Sequence, residues 1–327
     1  MTNFLFLRSK IDFMRKVLLS IVLFVQTLLG SGQTHTSYES LMGTEELYQT
    51  LDYLANELAE GRATGSAGKL SAEQFIRERF RSYGLKPFNW NYTQSFPYND
   101  TTIVRNVVGV VPANSMSDEY IIVGAHYDHL GRLGGQIYSG ADDNASGVTA
   151  LLAIARVFAK MRSDDAGPAK NIIFVAYDGK ELDLIGSEYF VKHLPFPAEK
   201  VVCAVNIDML GTTLAPIHRN RPDYLIVLGE ETLPAGMQGI IRRCNANSRF
   251  GMDIDYTFYG SANFTDMVYR TGDQYSFRQK KIPSLLFTSA FHDHTYKPTD
   301  KIDIIDFAML HKRTALIFDV LYRYSNL

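Results

Sequence analysis

Cysteine is scarce: Cys203 and Cys244 are the only two in 327 residues. They are too few for a disulfide framework, and without CxxC spacing they make neither a redox motif nor a cysteine zinc site. One bridge or two free thiols both remain open, and buried structural thiols are the simpler reading. Net charge is equally small, 33 Lys and Arg against 35 Asp and Glu, and the folded part carries no long basic stretch. Nucleic acid is therefore not an expected partner. Internal repeats and low-complexity linkers are missing, which favours one large domain over two small ones. Apolar material is plentiful, with 46% hydrophobic and 12% aromatic residues, so disorder and a disulfide-built miniprotein are excluded.

The longest apolar run, Val17 to Gly30, is shorter than the roughly 20 residues a spanning helix needs. Arg8, Lys10, Arg15 and Lys16 precede it and the small residues Gly30, Ser31 and Gly32 follow. That order reads as a secretory signal peptide over 1–32, leaving a single domain over 33–327, secreted or periplasmic, with no stable membrane anchor after cleavage.

Within that domain, Thr44 is placed to cap a helix with Leu47, Leu51, Leu54 and Leu58 on one stripe, and Ser71 with Gln74 forms a capping box for a second. Near-continuous apolar runs at 104–111, 120–125, 171–177, 201–207, 224–228 and 284–288 read as strands covered on both faces. Helical patterns at 147–161, 187–194, 235–247 and 306–324 lie between or after them. The expected fold is α/β, a three-layer α/β/α sandwich around a mostly parallel mixed sheet.

Chemistry gathers at the strand exits. The run at 120–125 leads into His126-Tyr127-Asp128-His129, and the turn Gly140 to Gly147, with Asp142 and Asp143, precedes a helix. Later runs end in Asp178-Gly179-Lys180-Glu181, in Asp208, and in Phe291-His292-Asp293-His294. Ligand crevices in open α/β sheets lie beyond the carboxyl ends of the strands, so these side chains can converge. Histidines and carboxylates without cysteine suit zinc in a partly open site.

With these motifs, and with Gly61-Arg62-Ala63-Thr64-Gly65-Ser66, Asn206-Ile207-Asp208-Met209 and the Pro298-Thr299-Asp300 tail, the chain resembles the secreted co-catalytic di-zinc aminopeptidases, relatives of glutamate carboxypeptidases and glutaminyl cyclases. The resemblance implies two zinc ions, with a one-ion site as the alternative, and a peptide or aminoacyl substrate. By motif position it implies His126 and Asp208 on one ion, Glu181 and His294 on the other, and Asp142 bridging. Asp128 would orient His126, and the peptide between Asp142 and Asp143 would be cis. His294 is preferred over His292, although the spacing to Pro298 departs from the usual pattern. His129, His193, His218 and His311 match no functional position.

One departure bears on activity. In active members a second glutamate, the general base, precedes the ligand glutamate, and here that place is taken by Lys180. Three consequences are open: lost or reduced activity, a lysine of lowered pKa acting as proton shuttle, or an ammonium replacing part of a second metal's charge. A glutaminyl cyclase-like acyl transfer and a non-catalytic metal- or peptide-binding role are the competing functions.

Overall fold

Strands form where apolar residues run almost unbroken, because a sheet covered on both faces leaves no side for polar residues. The computed structural model describes residues 38–88, 90–218, 221–247 and 249–327, so the expected export segment at 1–32 lies outside the described residues. Residues Leu41–Leu327 pack as one unit. Its helices are α1 (Thr44–Ala55), α2 (Ala67–Tyr83), α3 (Gly147–Ser163), α4 (Ile185–Lys192), α5 (Ile240–Asn245), α6 (Ala262–Tyr269), α7 (Gln274–Gln279) and α8 (Phe307–Ser325). Its strands are β1 (Lys86–Pro87), β2 (Thr93–Pro97), β3 (Ile103–Val111), β4 (Tyr120–His126), β5 (Gly131–Leu133), β6 (Gln136–Tyr138), β7 (Asn171–Tyr177), β8 (Val201–Ile207), β9 (Tyr224–Leu228), β10 (Asp253–Asp255) and β11 (Ser284–Thr288).

The main sheet is mixed, in the order β1-β3-β7-β4-β8-β11-β9-β10, with β2 also paired to β3. Its centre, β7-β4-β8-β11, is parallel. Antiparallel pairing surrounds that centre, β3 against β7 and β9 against β11. Side chains alternate between faces along a strand. Ile173, Val175 and Tyr177 of β7 accordingly pack with Phe190 of α4 and Phe277 of α7. Phe174 faces the other way, its ring 6.3 Å from that of Phe158 in α3, which meets Phe318 of α8 at 5.1 Å. A helical layer thus covers each face.

Helix ends differ from the sequence reading where a stronger cap lies nearby. Ser66 caps α2 by accepting a bond from the Lys69 amide, so Ser71 sits inside the helix, bonded to the Tyr53 hydroxyl. The pattern over 235–247 yields helix only at α5, because Gly239 takes φ 74° immediately before it. Asp306 caps α8 through its carboxylate and the Met309 amide. Cys203 and Cys244 are free and buried, and burial pushes both thiols up to about 12, so they are chemically quiet. Among the described residues no helix is long and apolar enough to cross a membrane.

The β4/β7 register sets His126 level with Tyr177, so the segments after both strands leave the same sheet edge. Arg62 then ties that edge together from below. Its buried guanidinium donates to the carbonyls of Tyr127 (2.9 Å), Ser139 (2.7 Å), Gly140 (2.9 Å) and Leu54. Gly61 permits the approach, since at φ 68° a Cβ would stand 2.3 Å from the Tyr138 carbonyl. Arg62→Ala should therefore lower unfolding free energy by about 3–5 kcal/mol, read by urea denaturation, because it strands four buried carbonyls. A loss within about 0.5 kcal/mol would show that water replaces the clamp.

Candidate metal centre

Three elements bring His126, Asp143 and Asp208 together. His126 is the last residue of β4, Asp143 lies in the turn ahead of α3, and Asp208 follows β8. His126 Nε2 is 3.3 Å from Asp208 Oδ1 and 3.3 Å from Asp143 Oδ1. A second group shares Asp143: a ligand atom each from His129, Asp143 and Glu181 lie within 4.8 Å of one another, as do those of the first group. Zinc bonds of about 2.0–2.3 Å place ligand atoms of one ion at such separations.

The turn is built to aim Asp143. The Asp300 carboxylate accepts the amides of Asp142 (2.8 Å) and Asp143 (3.0 Å). Asn144 donates to the Ile207 carbonyl and accepts from the Met209 amide, fastening the turn to the end of β8 beside Asp208. The cis peptide is Asp143-Asn144, one residue later than the sequence resemblance implies.

Asp142, expected as the bridge, is turned away and saturated. Its Oδ1 accepts from the Ser146 hydroxyl (2.9 Å) and the Gly211 amide (2.6 Å). Its Oδ2 accepts from Thr212 Oγ1 (3.2 Å) and lies 3.1 Å from His292 Nε2. With both oxygens engaged, Asp142 braces the turn, and Asp143 is the carboxylate that stands in both candidate groups. His294 is likewise outside both groups, its Nδ1 2.9 Å from Thr299 Oγ1. The loop instead sends Tyr296 inward, its hydroxyl 3.0 Å from Lys180 Nζ. Asp128 meets His126 mainly through its backbone, the carbonyl 3.0 Å from His126 Nδ1. Its carboxylate accepts the amides of Lys180 (3.2 Å) and Glu181 (3.1 Å), fixing the turn that presents them.

Lys180 points neither to solvent nor to Asp178 or Asp183. Its side chain is 9% exposed, with Nζ 2.9 Å from Glu181 Oε1 and 3.8 Å from Asp143 Oδ1. Asp178 instead pairs with buried Lys69 at 2.7 Å. Burial alone would lower the Lys180 pKa, but Asp143, Asp208 and Glu181 outweigh it and hold the group well above the ordinary lysine value. That argues against a lysine of lowered pKa in the metal-free chain. Burial opposes ionisation of Asp143 too, and Lys180 with His126 and His129 overcomes it, so this carboxyl is shifted down. Burial pushes His129 down to about 3, leaving a neutral imidazole able to act as a ligand.

A model of peptidase family M28 matches residues 106–321. The chain belongs to peptidase family M28. Among curated relatives, aminopeptidase YwaD of Bacillus subtilis is 35% identical over 114 residues, 33% of this chain and 22% of the relative. A probable zinc metalloprotease of Pyrenophora tritici-repentis is 26% identical over 178 residues, 51% of this chain and 39% of the relative. The match thus spans well under half the length of these relatives. The fold is that of the Legionella pneumophila LapA aminopeptidase, at TM-score 0.69 and 18% identity over 90% of this chain and 75% of that one.

This is a zinc metallopeptidase family, and the M28 site residues here fit zinc by their own chemistry. Both nitrogens of His129 and both oxygens of Asp143 are buried without a well-formed hydrogen bond inside the protein. Buried polar atoms are rarely left so unless an ion or water completes them. A cavity adjoins the M28 centre, lined by Asp143, Lys180 and Asp208 on one side and by Phe258, Leu286 and Phe291 among its apolar walls.

Asp143, His129 and Tyr296 were not legible as site residues. Past the end of a strand no period says which of two adjacent carboxylates faces the edge. One usable signal was Ser146, four residues after Asp142 and so placed to engage it.

Proposed function

We propose that this chain is an exported zinc peptidase of aminopeptidase type that hydrolyses the first peptide bond of peptides with apolar N-terminal side chains, at a rate limited by Lys180. The observation carrying this reading is the buried Asp143 carboxylate, neither oxygen of which has a well-formed hydrogen bond, shared by two ligand groups and lining a cavity with apolar walls. His126, Asp143 and Asp208 would hold zinc, which supplies Lewis acidity toward the carbonyl and a water of lowered pKa. The cavity walls Phe258, Leu286 and Phe291 would take the side chain of the first residue and exclude water from it. Lys180 cannot accept a proton while its ammonium is held by Glu181 and Tyr296, so proton transfer to the leaving amine is the weak step.

The test is zinc content with hydrolysis of aminoacyl p-nitroanilides. We expect zinc-dependent turnover abolished by a chelator and restored by zinc, with kcat/KM for leucyl or phenylalanyl substrates at least about tenfold above lysyl or aspartyl ones, the order of discrimination an apolar pocket gives. Cyclisation of N-terminal glutaminyl peptides in place of hydrolysis would transfer the site to acyl-transfer chemistry. Zinc and peptide binding without turnover would mark a non-catalytic relative.

A further inference from the structure

We infer that the ammonium of Lys180 occupies the place of a second cation between Asp143 and Glu181, so that the protein binds a single zinc ion, at His126, Asp143 and Asp208. The inference rests on the metal-site reading above and deepens it. Two ligand groups share Asp143, and in the second the acid partner is Glu181. Lys180 Nζ stands within 2.9 Å of Glu181 Oε1 and 3.8 Å of Asp143 Oδ1, the same two carboxylates an ion there would use. Its position is fixed independently of them. The Tyr296 hydroxyl lies 3.0 Å from Nζ, the Tyr296 ring centroid 5.3 Å away, and the Asp128 carboxylate holds the Lys180 amide.

Charge supports one ion beside one ammonium. Asp143, Glu181 and Asp208 bring three negative charges, which a divalent ion and an ammonium balance. A second divalent ion at His129, Asp143 and Glu181 would instead meet the ammonium at hydrogen-bond range, where like charges repel strongly in a buried site. His129 is what such an ion would leave behind. It is buried, both ring nitrogens lack a hydrogen-bond partner, and its ring lies parallel to Tyr296 at 6.2 Å.

The full chain is stripped of metal, titrated with zinc by calorimetry, and assayed for metal after dialysis. Wild type should bind one zinc ion. Lys180→Ala, which removes both charge and bulk, should bind a second at least about 100-fold tighter than wild type does. Adding His129→Ala to that variant should abolish the second site and leave the first. Two ions of similar affinity in wild type, or a folded Lys180→Ala still limited to one, would overturn this inference while leaving the peptidase reading intact. A wild type that binds no zinc overturns both. Should Lys180→Ala fail to fold, as judged by circular dichroism, wild-type stoichiometry decides alone.

Discussion

Asp143→Asn should strip zinc from the purified chain, whereas Asp142→Asn should retain it. The two carboxylates are adjacent in sequence and opposite in circumstance. Asp142 is enclosed by four donors or potential donors, Ser146, Gly211, Thr212 and His292. An amide in its place keeps one accepting oxygen and turns a donating NH₂ toward groups that are mostly donors themselves. The cost should appear as about 1–3 kcal/mol of lost stability, read by urea denaturation, with zinc stoichiometry unchanged. Asp143 has no such donors around it: neither oxygen has a well-formed hydrogen bond, and its neighbours are the charged or ligand-bearing side chains of His126 and Lys180. It belongs to both ligand groups, so losing its charge weakens any ion bound there. Outer partners of metal ligands typically account for 10–100-fold in affinity, and a directly coordinating carboxylate should exceed that, so zinc affinity should fall by at least about 100-fold. Thermal stability of the metal-free Asp143→Asn protein should fall, because buried Lys180 and His126 lose the negative charge that faces them. The reverse pattern, zinc lost in Asp142→Asn with the fold intact, would return the central place to Asp142.

The same pair shows what the sequence could and could not convey. Central strands were legible because β4, β7, β8 and β11 are buried on both faces and read as apolar runs. Short edge strands such as β1 and β10, two and three residues long, have too few residues for a pattern to emerge. That the site lies beyond the strand ends follows from the fold class, and His126, Asp208 and Glu181 do reach that edge. Which neighbouring residue turns inward is a property of irregular backbone. Asp143 is selected over Asp142 by bonds to Asp300 and by Asn144, and Tyr296 over His294 by the course of the loop after β11. Asp300, which holds both amides, lies 158 and 157 residues from them, beyond the reach of any helical or strand repeat. Lys180, by contrast, was visible as a departure from motif, and only coordinates reveal that it pairs with Glu181 and Asp143 rather than with Asp178.

Lys180→Glu should raise kcat/KM toward aminoacyl substrates by about 10²–10⁴, the contribution of a well-placed general base. The backbone at this position needs no rearrangement. Asp128 accepts the amides of residues 180 and 181, and the Leu182 amide bonds to the Gly179 carbonyl, so the turn is held by main-chain contacts that the substitution leaves alone. Its side chain lines the apolar cavity that would receive the substrate, where a carboxylate could take a proton and deliver it to the leaving amine. The gain should lie mainly in kcat, because proton transfer develops in the transition state and not on binding. A stability signature should accompany it. Replacing the ammonium puts a third negative group beside Glu181 and Asp143, so the metal-free variant should be less stable than wild type. Zinc should reverse that loss by mass action, raising Tm more in the variant than in wild type. A Lys180→Glu protein that folds, binds its zinc and still hydrolyses nothing would mean the substrate carbonyl is not presented to the metal, and the chain would then be a peptide-binding member of the family rather than a slow enzyme.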